Sequence, residues 1–368
     1  MKLSIMYIEV MMKLSLLSKY RTHIMGAAMM WIMWFHSPFY GKTEVFHFIH
    51  NIGFYGVDIF LMVSGLGLYY SMRKSKGVGD FYRKRAVRIL PAYLIITIAW
   101  YAFFKTDVAF SDKVLSILGI NYFRGSIFSR PEYFDWFLPT LFVLYLITPW
   151  YDKLFRKVTA KWKLTLLVSM ISPLLCIIGY AANIQVLYGS FVRIPIFLIG
   201  YNIGYFLYEK KEEEKGSWMV HLALLFTGLV LGYYIQTYVK NTTVFWGINA
   251  YPATLVAPAA GVFLAALFKV AEDKLRIVGK IILFPFEFCG NYSLEIYLIH
   301  QRLMEIMNAD FAASLRGTLM GSLTGRWYYF LLGIVSILMA ALLHELIAFV
   351  TNLIKKAAGG KKAEKATT

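Results

Sequence analysis

Apolar residues run through this chain in long, nearly unbroken stretches separated by short polar segments. A helix that crosses a membrane needs roughly 20 mostly apolar residues. Read at that length, ten stretches qualify, at about 23–40, 47–71, 87–104, 132–150, 164–182, 190–208, 218–238, 246–268, 280–304 and 327–354. They are too long and too continuously apolar for the short alternating strands of a membrane barrel. The pattern predicts an all-α integral membrane protein, a bundle of about ten transmembrane helices. A cytoplasmic segment, 1–22, would precede the membrane domain at 23–354, and a Lys/Ala-rich cytoplasmic tail, 355–368, would follow it. Glu9 and Lys13 interrupt any signal-peptide core near the start. The near repeat of MKLSIM and MKLSLL makes Met12 an alternative first residue.

Six prolines, Pro139, Pro173, Pro195, Pro252, Pro258 and Pro285, fall inside or at the edges of these stretches. A proline removes a backbone donor and tends to kink its helix. Membrane helices accept this where a neighbour or a water-filled cavity satisfies the freed carbonyls. An interior cavity is therefore expected, against the plainer reading of helices bent only for packing.

Composition sharpens the class. Hydrophobic residues make up 59% and charged residues 16%, where a soluble domain carries about 25% charged. One or two cores cannot hide that much apolar surface, so the excess must face lipid. A soluble enzyme, a disordered chain and a disulfide-stapled domain are excluded. Cys176 and Cys289 lie within apolar runs, with no metal or disulfide spacing, and no metal is expected. The net charge of +17 comes from basic clusters between the stretches, so the partner is the bilayer and not nucleic acid. With the N-terminus inside, 28 of the 38 basic residues fall on cytoplasmic segments and 8 outside. That asymmetry predicts a multi-pass protein of the cytoplasmic membrane with both termini cytoplasmic.

Ionisable side chains inside a membrane are costly and usually face a partner or a cavity. Here they are His36, Asp58, Asp135, Arg193, Glu287, Glu295 and His300; His344 and Glu345, low in the last stretch, read as packing. His36 belongs in the outer half of the membrane, either as a proton acceptor or as an interfacial residue beside the bend at Pro38. Asp58 lies seven residues from Gly65 and so on the same helix face. It sits on the stretch after His36 and can reach it, and a carboxylate orienting a histidine is a known catalytic arrangement; a structural Asp is the alternative. Arg85 and Arg88 are three apart at a cytoplasmic entrance. Arginine forks hold phosphates, although basic residues there also serve as topology anchors. Arg193 can steady a thioester oxygen or an acidic acceptor, or snorkel to headgroups. Trp136 can stack on a sugar or belong to the interfacial belt.

Taken in order, GVDIFLMVSG, FYRKRAVRILPAY, WFLPTLFVLYLITPW, RIPIFLIGYNIGYF and NYSLEIYLIH resemble the acyltransferase-3 family of multispanning membrane acyltransferases. The resemblance implies transfer of an acyl group, most often acetyl from acetyl-CoA, to a hydroxyl of a cell-envelope sugar or an exported small molecule. It implies His36 as the family's first histidine, Asp58 as the Asp of Gly-Val-Asp, and Arg85 and Arg88 as its Arg-x-x-Arg. It also maps Ser293, Tyr297 and His300 onto the late Ser and Tyr-Leu-x-His. Many members carry a basic residue eleven positions before the first histidine. Met25 stands there in this chain, and Arg21, one helical turn earlier, is the substitute.

On this reading His36 is the base, Asp58 holds its tautomer, and His300 is the second acid or base. Arg85, Arg88 and Arg21 grip the CoA phosphates, and Arg193, Trp136, Ser293 and Tyr297 touch substrate. Arg21 lies fifteen residues before His36, about 22 Å along a helix. A tunnel entered from the cytoplasm is therefore expected, with acyl-CoA reaching up to His36 and the acceptor arriving from outside, over segments 105–131 and 305–326. The rival reading is a proton-coupled transporter or flippase for an envelope glycan or small metabolite. Such a protein has no need of a phosphate grip at Arg85 and Arg88.

Overall fold

The computed structural model describes residues 13–39, 41–128, 136–209, 218–307 and 326–365, and their regular structure is helical. In chain order the main helices are α1 (Arg21–His36), α2 (Glu44–Asn51), α3 (Tyr55–Lys74), α4 (Val78–Phe103) and α5 (Phe137–Lys157). They continue as α6 (Lys161–Ala182, interrupted at Met170), α7 (Gln185–Glu209), α8 (Trp218–Val239), α9 (Ala253–Asn291), α10 (Ser293–Ile306) and α11 (Arg326–Lys365).

Among the described residues, α4, α6, α7, α8, α9 and the Trp327–Leu353 part of α11 are long and apolar enough to cross a membrane. The pair α2 and α3, bent by 45°, makes a seventh if it is one broken span. The chain is a multi-pass membrane protein, and its described residues hold six or seven candidate spans where the sequence predicts ten. The shortfall has local causes. Helix α1 has only 16 residues. Helix α5 ends on Asp152, Lys153, Arg156 and Lys157, which dilute its apolar run. The stretches expected at 246–268 and 280–304 fall on the 39-residue α9 and the 14-residue α10. Helix α9 is itself two arms, 253–275 and 277–291, because Arg276 leaves the helical region at φ 47° and ψ −112°.

The prolines also read differently in place. Pro139 is in the first turn of α5, and Pro173 and Pro195 are in the first turn after a break within α6 and α7. Pro252 comes just before α9. The missing N–H costs nothing at those places, so these four start helices and do not kink them. Pro258 and Pro285 do lie inside α9, as Pro91 does in α4 and Pro149 in α5.

The chain forms two compact units, Met1–Arg85 with Ala109–Asn291, and Ala86–Val108 with Tyr292–Thr368. In the first, α3 and α7 share the closest seam. Gly65 lies on the backbone of Phe197 and Tyr201, and Gly200 lies on the Met62 backbone, so that a Cβ on either would collide. Small residues at such seams let membrane helices approach to backbone contact. Near the bend between α2 and α3, Ile52, Tyr55, Ala253 and Val256 form a buried cluster that fixes where α3 begins. Most of α8 faces outward, with Phe226 67% exposed. So broad an apolar face is a lipid-contacting surface.

In the second unit α10 packs on α11. Two polar contacts accompany that packing: His344 Nδ1 lies 2.8 Å from Glu295 Oε1, and the Tyr292 hydroxyl donates to Glu345 Oε1 at 3.1 Å. Helix α11 also presents an outward apolar face, with Leu342 72% exposed, and it remains helical to Lys365, through the stretch read as a tail. Asp135, the end of segment 105–131, nearly all of 305–326, and the first twelve and last three residues lie outside the described residues.

Candidate active site

Asp58 sits in the first turn of α3 and is fully buried. The direction it faces follows from helix geometry. Gly56 packs on the Ala28 carbonyl and the Ile32 side chain of α1. Two residues further on, the helix has turned about 200°, and Asp58 joins the Met62 and Gly65 face that meets α7. There it meets Arg193, the last residue of a short 3₁₀ turn, Phe191–Arg193, within α7. Pro195 follows two residues later and starts the next helical segment.

Arg193 is 6% exposed, and its Nε lies 3.2 Å from Asp58 Oδ1. Its Nη1 donates to the Gly189 carbonyl at 2.9 Å. Its guanidinium carbon stands 4.5 Å from the centre of the Trp136 ring and 6.0 Å from that of Phe54. A guanidinium over an indole face is a favourable cation–π contact, stronger when water is excluded. Asp58, Arg193 and Trp136, three of the predicted site residues, thus form one group, with Asp58 and Arg193 buried and Trp136 half-buried over them.

The expected contact between Asp58 and His36 is not formed. Neither Asp58 oxygen accepts a hydrogen bond from His36, and the carboxylate is paired with Arg193. His36 is the last residue of α1 and half-buried, with its ring 5.0 Å from that of Phe35. Helix α1 stops there because Ser37 precedes Pro38, which excludes the helical conformation before it; Ser37 is extended, at φ −80° and ψ 149°. The turn after His36 is tied down from α2 by His50, whose Nε2 lies 3.0 Å from the Ser37 carbonyl. Trp31 Nε1 donates to the Ile49 carbonyl at 2.9 Å across the same corner.

At the other end of α1, the Arg21 guanidinium lies against Gly67 of α3, where a Cβ would come within 2.9 Å of Nη1. Arg85 and Arg88 are one turn apart on α4, the first half-buried and the second exposed. Ser293, Tyr297 and His300 line up on α10 in the second unit, all buried. His300 Nδ1 lies 2.8 Å from the Ile296 carbonyl. A carbonyl only accepts, so the proton is on Nδ1 and Nε2 is the basic nitrogen.

The chain matches the acyltransferase domain of a known enzyme family over residues 25–345. The chain belongs to the acyltransferase-3 family. It is therefore a membrane acyltransferase, and an acyl donor is implied by that membership. The acyltransferase-3 match encloses every predicted site residue except Arg21, which lies four residues ahead of it. No match was found among curated proteins or among solved structures.

One buried polar group in the acyltransferase-3 domain is absent from the sequence reading. Asp152 of α5 is 2% exposed and pairs with Arg73 of α3. It also accepts from Arg156 Nε at 2.8 Å and from the Tyr201 hydroxyl at 2.5 Å. Arg73 lies over the Tyr69 ring at 4.5 Å. The spacing of Asp152 and Arg156, one helical turn apart, is the part of this group visible in sequence. Among the described residues, no cluster of three or more His, Cys, Asp or Glu gathers as metal ligands do.

Proposed function

We propose that this acyltransferase is an O-acetyltransferase of the cytoplasmic membrane, moving the acyl group of cytoplasmic acetyl-CoA to a hydroxyl of a cell-envelope sugar or an exported small molecule. The observation that carries the reading is the family match itself. It is one continuous stretch, residues 25–345, and it takes in His36, Asp58, Arg85, Arg88 and His300, the residues that the sequence resemblance maps onto the family's motifs.

In the proposed chemistry the acceptor oxygen attacks the thioester carbonyl carbon and the carbon–sulfur bond breaks. His36 takes the hydroxyl proton, which ends on the departing CoA sulfur. His300 is the second acid or base by its place in the late motif, with Ser293 and Tyr297 beside it in sequence. Arg85, Arg88 and Arg21 hold CoA phosphates by charge-assisted hydrogen bonds. Asp58 works through Arg193. It cancels the guanidinium charge and fixes it over Trp136, so Asp58 is a positioning residue and Arg193 with Trp136 forms a stiff wall for substrate. An interior passage along α1, from the Arg21 level up to His36, carries the acyl arm. Ten crossings with both termini in the cytoplasm belong to the same proposal, and CoA stays on the cytoplasmic side.

The test is label transfer by the purified chain in nanodiscs supplied with acetyl-labelled CoA and a hydroxylated glycan. Label should leave CoA, one free CoA thiol appearing per acetyl transferred. Arg85→Ala and Arg88→Ala should each weaken CoA binding about tenfold, the loss of a hydrogen bond to a charged group. Lysine should restore only part, since an ammonium lacks the bidentate fork. Label that never leaves CoA, or a double alanine variant that binds CoA like the wild type, contradicts the proposal.

A further inference from the structure

A cavity of about 420 Å³ opens between α2 with the turn before it and the last turn of α8. This is within the usual size range for small-molecule sites, about 300–1,000 Å³. It is not lined by any of the residues assigned above. Its α8 wall is made by a π turn, Ile235–Val239, which places Gln236 and Thr237 on the cavity. Such widened turns recur at functional sites because they redirect side chains that a regular helix would space apart. The facing wall supplies Asn51 of α2, whose Nδ2 is 3.0 Å from His47 Nδ1. The rings of Phe48 and Tyr233 meet at 5.5 Å, and Tyr233 is 48% exposed, a partly open aromatic surface. Lys42 and Lys240 stand on the two walls against the single carboxylate of Glu44. Among the described residues neither lysine makes an ion pair.

The cavity lies on the helix that also contacts the turn after His36. Helix α2, which carries His47 and Asn51, holds the turn after His36 through His50 and the Ser37 carbonyl. Amide and hydroxyl side chains suit a ligand rich in hydroxyls, an aromatic surface suits the apolar face of a ring, and two lysines against one glutamate suit an acid group.

We infer that this cavity is the recognition site for the acceptor, and that the acceptor is a hydroxylated ring bearing an anionic group, held by Lys42 and Lys240. The inference rests on the acyl-transfer reading for the word acceptor, but the site itself is tested by binding alone. The full chain in phosphatidylcholine nanodiscs is titrated with glucuronic acid and with glucose, followed by ligand-detected NMR, while label transfer from acetyl-CoA is measured on the same sample. Glucuronic acid should bind about tenfold more tightly than glucose, the scale of one charge-assisted contact. Lys42→Gln with Lys240→Gln should erase that preference, and Tyr233→Ala should weaken both sugars. Equal binding of the two sugars, or a double variant that keeps the preference, overturns the inference. Acid-selective binding without label transfer leaves this site standing and removes the acyl-transfer reading. Transfer without acid selectivity does the reverse.

Discussion

Asp58 and Arg193 are each other's counter-charge in a place that water does not reach, and that makes them sensitive to single substitutions. Removing one partner leaves an uncompensated buried charge, which costs about 3–5 kcal/mol. Asp58→Asn and Arg193→Gln should each destabilise the detergent-solubilised protein by about that much, read as a lower unfolding midpoint. Replacing both by neutral residues, Asp58→Asn with Arg193→Met, should recover much of the loss, since no lone charge remains. Single variants that unfold like the wild type would mean the pair is solvated. Much of this was legible in sequence: a lone carboxylate and a lone guanidinium in apolar runs announce a partner, and the spacing to Gly65 put Asp58 on the correct face. Which helix covers that face is a long-range matter of packing, so His36 was expected where Arg193 stands. Asp152 was missed for a related reason. It borders a basic loop, and only the approach of Tyr201 from α7 turns that position into an interior one.

The element that positions this group is the seam between α3 and α7. Gly200 is in contact with the Met62 backbone, one helical turn along α3 from Asp58. Gly200→Leu should therefore push the helices apart and destabilise the fold by about 3 kcal/mol, at the upper end for overpacking. Gly77, between α3 and α4, has nothing within 4 Å of a built Cβ. Gly77→Ala should stay within about 0.5 kcal/mol of the wild type, as surface changes do. Limited proteolysis and thermal unfolding compare the two, and equal behaviour would argue against the seam. Hydrophobic stretches located nearly every helix, because lipid-facing and buried positions are both apolar and leave one continuous trace. The breaks were not legible. Proline marks a helix start or a kink depending on a shift of a few residues, and the kink at Arg276 has no proline at that position.

For the molecule as a whole the proposal sets a direction. With both termini cytoplasmic, reporter fusions at Gly77 and Asn241 should read inside and outside respectively, because basic residues crowd the first loop and not the second. The reverse at either site breaks the ten-crossing topology. That topology puts Arg21 near the cytoplasmic face and His36 about 22 Å further along the same helix, so donor grip and proton acceptor stand toward opposite faces of the bilayer. The most direct measurement is acetyl transfer from labelled acetyl-CoA by His36→Ala beside the wild type, with CoA binding followed in parallel. Loss of a positioned base should cut transfer at least about 100-fold while CoA binds unchanged. A His36→Ala protein that transfers label at the wild-type rate would contradict the account.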